Sequence, residues 1–432
     1  MYLLLAIAFI IGYIFIAFEH PLKIDKAASA ILTGVICWVI LVLGQDTIFQ
    51  TPHEAHFIDE SILHHLGEIS QILFFLLGAM TIVELIDAHG GFHIITSKIK
   101  TTNRVKLLWI IGIVTFILSS VLDNLTTTIV MAALLKKLMK DRDDIWFFGG
   151  IVVIAANAGG AWSPIGDVTT IMLWIGGQVT AANIIKEVLL PSIVCLAVPL
   201  LVLSLIKKGE ITRTASAKSD DEHIHMASSF EASLILWLGI AGLLFVPVFK
   251  TLTHLPPFMG ILLSLGVLWV VTELIHKNKP IEHRHNLSVA SVIRKVDTPS
   301  VLFFLGILLA VASLQTGGHL TQVANWLNDT FGNIYIINII IGLISSIVDN
   351  VPLVAGAMGM YPLTLYPQDH VFWELLAYCA GTGGSSLIIG SAAGVAIMGI
   401  LKIDFIWYLK KISWLAILGY LAGVLTYYLL NL

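Results

Sequence analysis

The chain has 432 residues, 57% of them hydrophobic and 12% charged, with a formal net charge of −4 at pH 7. A soluble domain carries about a quarter of its residues as charges, so a water-soluble globular protein is excluded, and nothing here points to a nucleic-acid partner. Apolar runs long enough to cross the hydrocarbon core as helices, such as "LLLAIAFIIGYIFIAF" and "SLILWLGIAGLLFVPVF", recur throughout. The fold class is an all-α polytopic membrane protein.

In chain order, helices are expected over 2–18 and 27–44. The first begins at Met1 without a preceding basic region and reads as a retained helix rather than a signal peptide. An external loop up to residue 67 crowds His53, His56, His64 and His65 with Glu54, Asp59, Glu60 and Glu68. It reads as a solvated acidic surface, as a metal site, or as a pH-sensing element, because histidine titrates near neutrality. A helix over 68–89 carries Glu84 and Asp87 near its inner end, where they line a funnel or simply face water. Residues 104–139 leave the inside and return to it, 145–177 cross outward and 183–206 cross back. A linker (207–231), two helices (232–275) and a second linker (276–297) follow. "DDEHIH" (220–225) and "EHRH" (282–285) read as linker surface. Residues 298–314 cross outward, 333–366 leave the outside and return, 371–401 cross inward and 412–431 cross out. The units are therefore 1–67, 68–206, 207–231, 232–275, 276–297 and 298–432.

The orientation comes from lysine and arginine, which stay cytoplasmic near helix ends. Of 24 such residues, all but Lys186 and Lys250 fall in clusters on one face. Both termini are then outside, both linkers are cytoplasmic, and the protein is expected in the plasma membrane, the inner membrane of a bacterium. Cys37, Cys195 and Cys379 are scattered and form neither a disulfide framework nor a zinc site.

The two halves resemble each other. "LFFLLGAM" (73–80) matches "LFFLGILL" (302–309), Gly90–Gly91 matches Gly317–Gly318, Asp123–Asn124 matches Asp349–Asn350, and "AGGAWSPIG" (158–166) matches "TGGSSLIIG" (382–390). The matches come in the same order at nearly constant spacing. The charge map starts the helix at 68 outside and its counterpart at 298 inside, so the repeats have inverted topology, as in secondary transporters. Each repeat is expected to hold a re-entrant hairpin and a broken transmembrane helix.

The Asp-Asn pairs stand at the hairpin tips. Gly159, Gly160, Pro164 and Gly166 break one crossing helix, and Gly383, Gly384 and Gly390 break the other. Such breaks expose backbone groups that coordinate small ions, and hard cations take oxygen ligands. The oxygen donors gathered there are Asp123, Asn124, Thr126, Asn157, Ser163, Asp167, Thr169, Thr170, Asp349, Asn350, Ser385 and Ser386. Na⁺ held by Asp123, Asn124, Asp349 and Asn350 is the working hypothesis. Ser119, Ser120, Ser345 and Ser346 read equally well as structural groups, helix caps or interhelical hydrogen bonds, and as further polar members of the ion site. A carboxylate at bilayer depth costs a few kcal/mol. No Lys or Arg lies in these segments to offset Asp123, Asp167 and Asp349, so protons or bound cations are the natural counter-charges. Trp162 and Trp174 read as packing.

With "DKAA" (25–28), "LDNLTTT" and "AGGAWSPIGDVTT", the chain resembles the NhaD-type sodium/proton antiporters of the ion transporter superfamily over nearly its whole length. Dicarboxylate carriers of that superfamily have Ser-Asn-Thr at comparable tips, where this chain has Asp-Asn. The resemblance implies ion-transport roles for Asp123, Asn124, Asn157, Asp167, Thr169, Thr170, Asp349 and Asn350, and a homodimer. Pro352 stands opposite Thr126 and Ser391 opposite Asp167, so the half-sites are not equivalent. The expected function is exchange of Na⁺ or Li⁺ for H⁺ without a cofactor. The alternative is sodium-coupled symport of a small anion such as a dicarboxylate. A membrane enzyme finds no support in motifs such as HExxH, GxSxG or Walker A.

Overall fold

The computed structural model describes residues 1–17, 19–48, 55–97, 99, 101–212, 227–277, 279 and 287–432. The motifs at 220–225 and 282–285 lie outside them. The described residues form helices and no strand; the one β-bridge joins Asn103 to Glu210. Eight of the helices are long and apolar enough to cross a membrane.

The principal helices are α1 (Tyr2–Ala17), α2 (Lys26–Leu43), α3 (Ala55–Ala88), α4 (Arg104–Ser119), α5 (Asn124–Leu138), α6 (Arg142–Ala161), α7 (Val168–Ile175), α8 (Ala181–Ile206) and α9 (Ser229–Thr253). They continue with α10 (Pro257–His276), α11 (Thr298–Thr316), α12 (His319–Phe331), α13 (Ile334–Ile344), α14 (Asn350–Met360), α15 (Val371–Gly383), α16 (Ala392–Leu401), α17 (Phe405–Lys411) and α18 (Ser413–Leu430). α3 begins at Ala55, so the segment expected as an external loop is helical up to residue 67. No glycine or proline interrupts it before Gly67, and the helix continues through that residue. Residues 319–331 also form a helix, bent by 119° from α13; α17 is bent by 117° from α16. α12 buries Leu320, Ala324 and Leu327 while Trp326 is exposed, the stripe of an amphipathic helix.

Two close helix pairs frame the molecule. α2 and α11 meet at Gly34 and Gly306, where a Cβ on Gly34 would stand 2.6 Å from the Gly306 carbonyl oxygen. α8 packs along α18. Between these frames the two halves use the same parts. α4 stops at Ser119 and α5 restarts at Asn124; α13 stops at Ile344 and α14 restarts at Asn350. Both arms of each pair pack on the helix that follows, α6 or α15. The contacts then cross over reciprocally: α5 packs on α16, α14 packs on α7, and α6 meets α15.

The ends of these parts lie far apart. Backbone bonds tie Arg104 to Gly209 and Lys140 to Thr212, so three basic clusters meet beyond the C-terminus of α8. At the other end of α8, Asp369 accepts from the Thr180 amide at 2.6 Å and its own amide donates to the Gln178 carbonyl. The 26 residues of α8 separate these two places by about 39 Å.

Cys37, Cys195 and Cys379 are buried free thiols. Trp162 stacks on Phe116 and Trp174 meets Phe75 edge-on, so both tryptophans pack as expected.

Candidate functional site

Four helices begin in the middle of the molecule, and each begins on a polar cap. Asp123 caps α5, Asp167 caps α7, Asp349 caps α14 and Ser391 caps α16. The first turn of a helix leaves backbone N–H groups without intrahelical partners and carries partial positive charge. Side-chain oxygens in these positions satisfy both.

The acids are held differently. Asp123 Oδ1 accepts from the Thr126 amide and Oδ2 from the Thr126 hydroxyl, both at 2.8 Å. Its φ of 125° lies where side-chain-bearing residues seldom go, and such strain concentrates at functional sites. Asp167 Oδ1 accepts from the amide and hydroxyl of Thr169, each at 2.9 Å, and Oδ2 accepts from Asn124 Nδ2 at 2.9 Å. Among the described residues, Asp349 accepts one long 3.4 Å bond, from the Val351 amide. Facing it at 3.7 Å is the ammonium of Lys26, the second residue of the "DKAA" stretch. The sequence reading that the three acids lack a basic partner is therefore corrected for Asp349. Its partner comes from α2, far away in sequence. The available signal was a lysine directly behind the Asp25 helix cap.

Asn157 is the hub between the halves. Its Oδ1 accepts from Asn124 Nδ2 at 3.1 Å, and its Nδ2 donates to Ser385 Oγ and Ser391 Oγ, both at 2.9 Å. Lys26, Asp123, Asn124, Thr126, Asp167, Asp349, Asn350 and Ser300 line one cavity of ≈60 Å³. That is room for a small ion with a water or two. Asn157, Ser163, Thr169, Thr170, Ser385 and Ser386 sit behind this lining rather than on it. Ser163 Oγ donates to the Ser120 carbonyl at 2.5 Å, and Thr170 Oγ1 to the Ala161 carbonyl at 3.3 Å. The hydroxyls of Ser386 and Thr127 are buried without a hydrogen-bond partner among the described residues; Thr127 was not picked out from sequence.

The four tip serines each donate to a backbone carbonyl, two to the helix that follows and two within their own turn. Ser119 Oγ donates to the Ala156 carbonyl and Ser345 Oγ to the Ala380 carbonyl; Ser120 and Ser346 bond the carbonyls of Ile117 and Leu343. Matched glycines let the backbones meet. A Cβ on Gly160 would lie 2.6 Å from the Gly166 carbonyl oxygen, and one on Gly384 would lie 2.8 Å from that of Gly390. Gly159 and Gly160 stay helical within α6, and Gly383 is the last residue of α15. They do not break their helices, as sequence suggested; they permit close approach. The breaks fall at 162–167, around Pro164 and Gly166, and at 384–391, which Gly384 begins and which contains Gly390.

A second cavity, ≈150 Å³, shares Met80, Leu125 and Thr126 with the first and is lined by Glu84, Asp87, Lys295 and Asp297. Glu84 and Asp87 thus line a cavity. A third, ≈260 Å³, is lined by His65, Glu68, Gln178, Gln315 and Met358. His64 and His65 flank Glu68 at 3.4 and 3.6 Å, and His65 also meets Thr316. They stand on α3, not in a loop. His56 lies in α3, and His53 lies outside the described residues.

Paired helix interruptions, capped by acids around a small central cavity, define a polytopic membrane protein of the transporter class. Residues 10–381 match the family described as "Citrate transporter". The chain is 50% identical over 426 residues to "Sodium/proton antiporter 1" of Arabidopsis thaliana, covering 98% of this chain and 71% of that one. It is 47% identical to "Sodium/proton antiporter 2" of the same plant, over 98% of both chains. It is 29% identical to "Na(+)/H(+) antiporter NhaD" of Vibrio cholerae, over 98% of this chain and 90% of the relative. The chain belongs to this family and, within it, to the NhaD-type sodium/proton antiporters.

Proposed function

We propose that the protein is a secondary active transporter that exchanges Na⁺ or Li⁺ for H⁺ by alternating access, with Asp123, Asp167 and Asp349 as the titrating cation ligands. The observation that carries this reading is the capping pattern. Three of the four helix N-termini at the cavity already hold a carboxylate of the chain itself. An anionic substrate would need those amides free and would meet three acids instead. A small cation meets carboxylate, amide and hydroxyl oxygens, the ligands a hard ion takes. Since a proton neutralises the same oxygens, the two ions compete, and competition at a site open to one side at a time is exchange. The full-length relatives named as antiporters support this reading over sodium-coupled anion uptake.

The repeats are read as inverted. The ends of α4 and α5 lie with the basic clusters beyond the C-terminus of α8, while residues 368–369, at the far end of the second pair, lie at its N-terminus. By the positive-inside rule the first of these places is cytoplasmic, and both chain termini are outside. The two tips line one cavity rather than two half-sites, so one ion can be shared between them. The funnel past Glu84, Asp87 and Lys295 is its cytoplasmic approach. The His64–His65–Glu68 group at the opposite cavity is the candidate pH sensor, and a homodimer is the assembly expected of the family.

The competition itself is the test. Purified protein in weakly buffered detergent solution should release protons when NaCl or LiCl is added, but not with choline chloride. Sodium binding without proton release would contradict competitive exchange.

A further inference from the structure

We propose that Lys26 is a tethered counter-cation that Na⁺ must displace from Asp349, and that this pair holds the unloaded tip of α14 against the α2–α11 frame. The proposal rests on the antiport reading and adds a residue to it.

The three acids of the cavity differ in what satisfies them. Asp123 and Asp167 accept short hydrogen bonds from neighbouring threonines, whereas Asp349 has one long backbone bond and the Lys26 ammonium. At 3.7 Å that ammonium is beyond hydrogen-bond distance. Both side chains keep some exposure, 25% and 19%, so the gap is open to water and to a competing ion. A lysine head is a compact point charge on a flexible stem, close in kind to a bound Na⁺.

Lys26 is anchored from behind. Asp25 caps its helix by accepting from the Ala27 amide at 2.8 Å, and the ammonium lies 4.5 Å from the centre of the Phe303 ring. α2 and α11 interlock backbone to backbone at Gly34 and Gly306. Lys26 therefore belongs to a closely interlocked pair, and Asp349 caps a separate helix that begins in the middle of the molecule. An exchanger must prevent its empty form from crossing, since an empty crossing lets Na⁺ run downhill without a proton. An ion pair from frame to tip, present only while the tip is unloaded, does this.

The test uses the full-length protein carrying Lys26→Gln, Lys26→Arg, Asp349→Asn, and Lys26→Gln combined with Asp349→Asn. The first readout is the Na⁺ concentration giving half-maximal thermal stabilisation in detergent. It should fall about fivefold in K26Q, stay near wild type in K26R, and show no effect of K26Q in the D349N background. The second readout, in liposomes, is protons moved per Na⁺, which should drop in K26Q while downhill Na⁺ flux persists. Should K26Q fail to fold, Lys26→Met keeps the apolar stem over Phe303 and carries the same measurements. An unchanged Na⁺ midpoint with an unchanged ratio, or the same shift with D349N present, overturns the proposal. Stabilisation by Na⁺ is read without transport, so an absence of sodium-driven proton flux in wild type would count against the antiport reading separately.

Discussion

Asp123→Asn and Asp349→Asn are each expected to abolish most sodium-dependent proton flux while leaving the protein folded in the membrane. Removing one partner of a desolvated charge interaction costs about 2–5 kcal/mol. A loss of about 3 kcal/mol is about a hundredfold in rate below saturation. Both replacements keep the side chain's shape, and asparagine caps a helix about as well as aspartate, so α5 and α14 keep their caps. Asp167→Asn is a poorer probe. It would set a new amide against Asn124 Nδ2, which now donates to Asp167, and so disturb the hub as well as the charge. Flux in liposomes, with size-exclusion profiles as the folding control, reads the result. Wild-type rates in both variants would make these acids structural.

Thiol labelling at the two ends of the molecule gives an all-or-none pattern. Single cysteines at Thr101, Lys140, Thr330 and Gln368, in a background lacking Cys37, Cys195 and Cys379, are treated with an impermeant reagent. Positions 330 and 368 are expected to react from outside, and 101 and 140 only once the membrane is opened. The reason is α8. Residues 104 and 140 are tied to the chain beyond its C-terminus and residues 368–369 to the chain before its N-terminus. About 39 Å of helix lies between, more than the hydrocarbon thickness. Labelling of all four from one side would end the inverted-repeat reading.

Much of this was legible in the sequence because the relevant signals are local. A carboxylate inside an apolar run stands out by its desolvation cost alone, which is how Asp123, Asp167 and Asp349 were found. Pro164 and Gly166 mark a helix break by backbone chemistry. Tertiary facts were hidden. Lys26 reaches Asp349 across more than three hundred residues, and a lysine at a helix start looks like any cytoplasmic anchor. Gly159, Gly160 and Gly383 read as breakers, but what they accommodate is a neighbouring backbone, which no local pattern announces. The helix from Ala55 was missed because its histidines and acids look like a solvated loop. From sequence the tip serines read equally as structural groups or as members of the ion site, because the acceptors of Ser119 and Ser345, the carbonyls of Ala156 and Ala380, lie on another helix.

The central claim is that one acid-lined cavity exchanges a monovalent cation for protons. Purified protein in sealed liposomes, carrying a pH-sensitive dye inside, tests it most directly. Gradients of Na⁺, Li⁺, K⁺ and citrate are imposed one at a time. The account predicts proton movement opposite to an imposed Na⁺ or Li⁺ gradient, and none driven by citrate. Citrate-dependent Na⁺ uptake with no sodium-driven proton flux would contradict it.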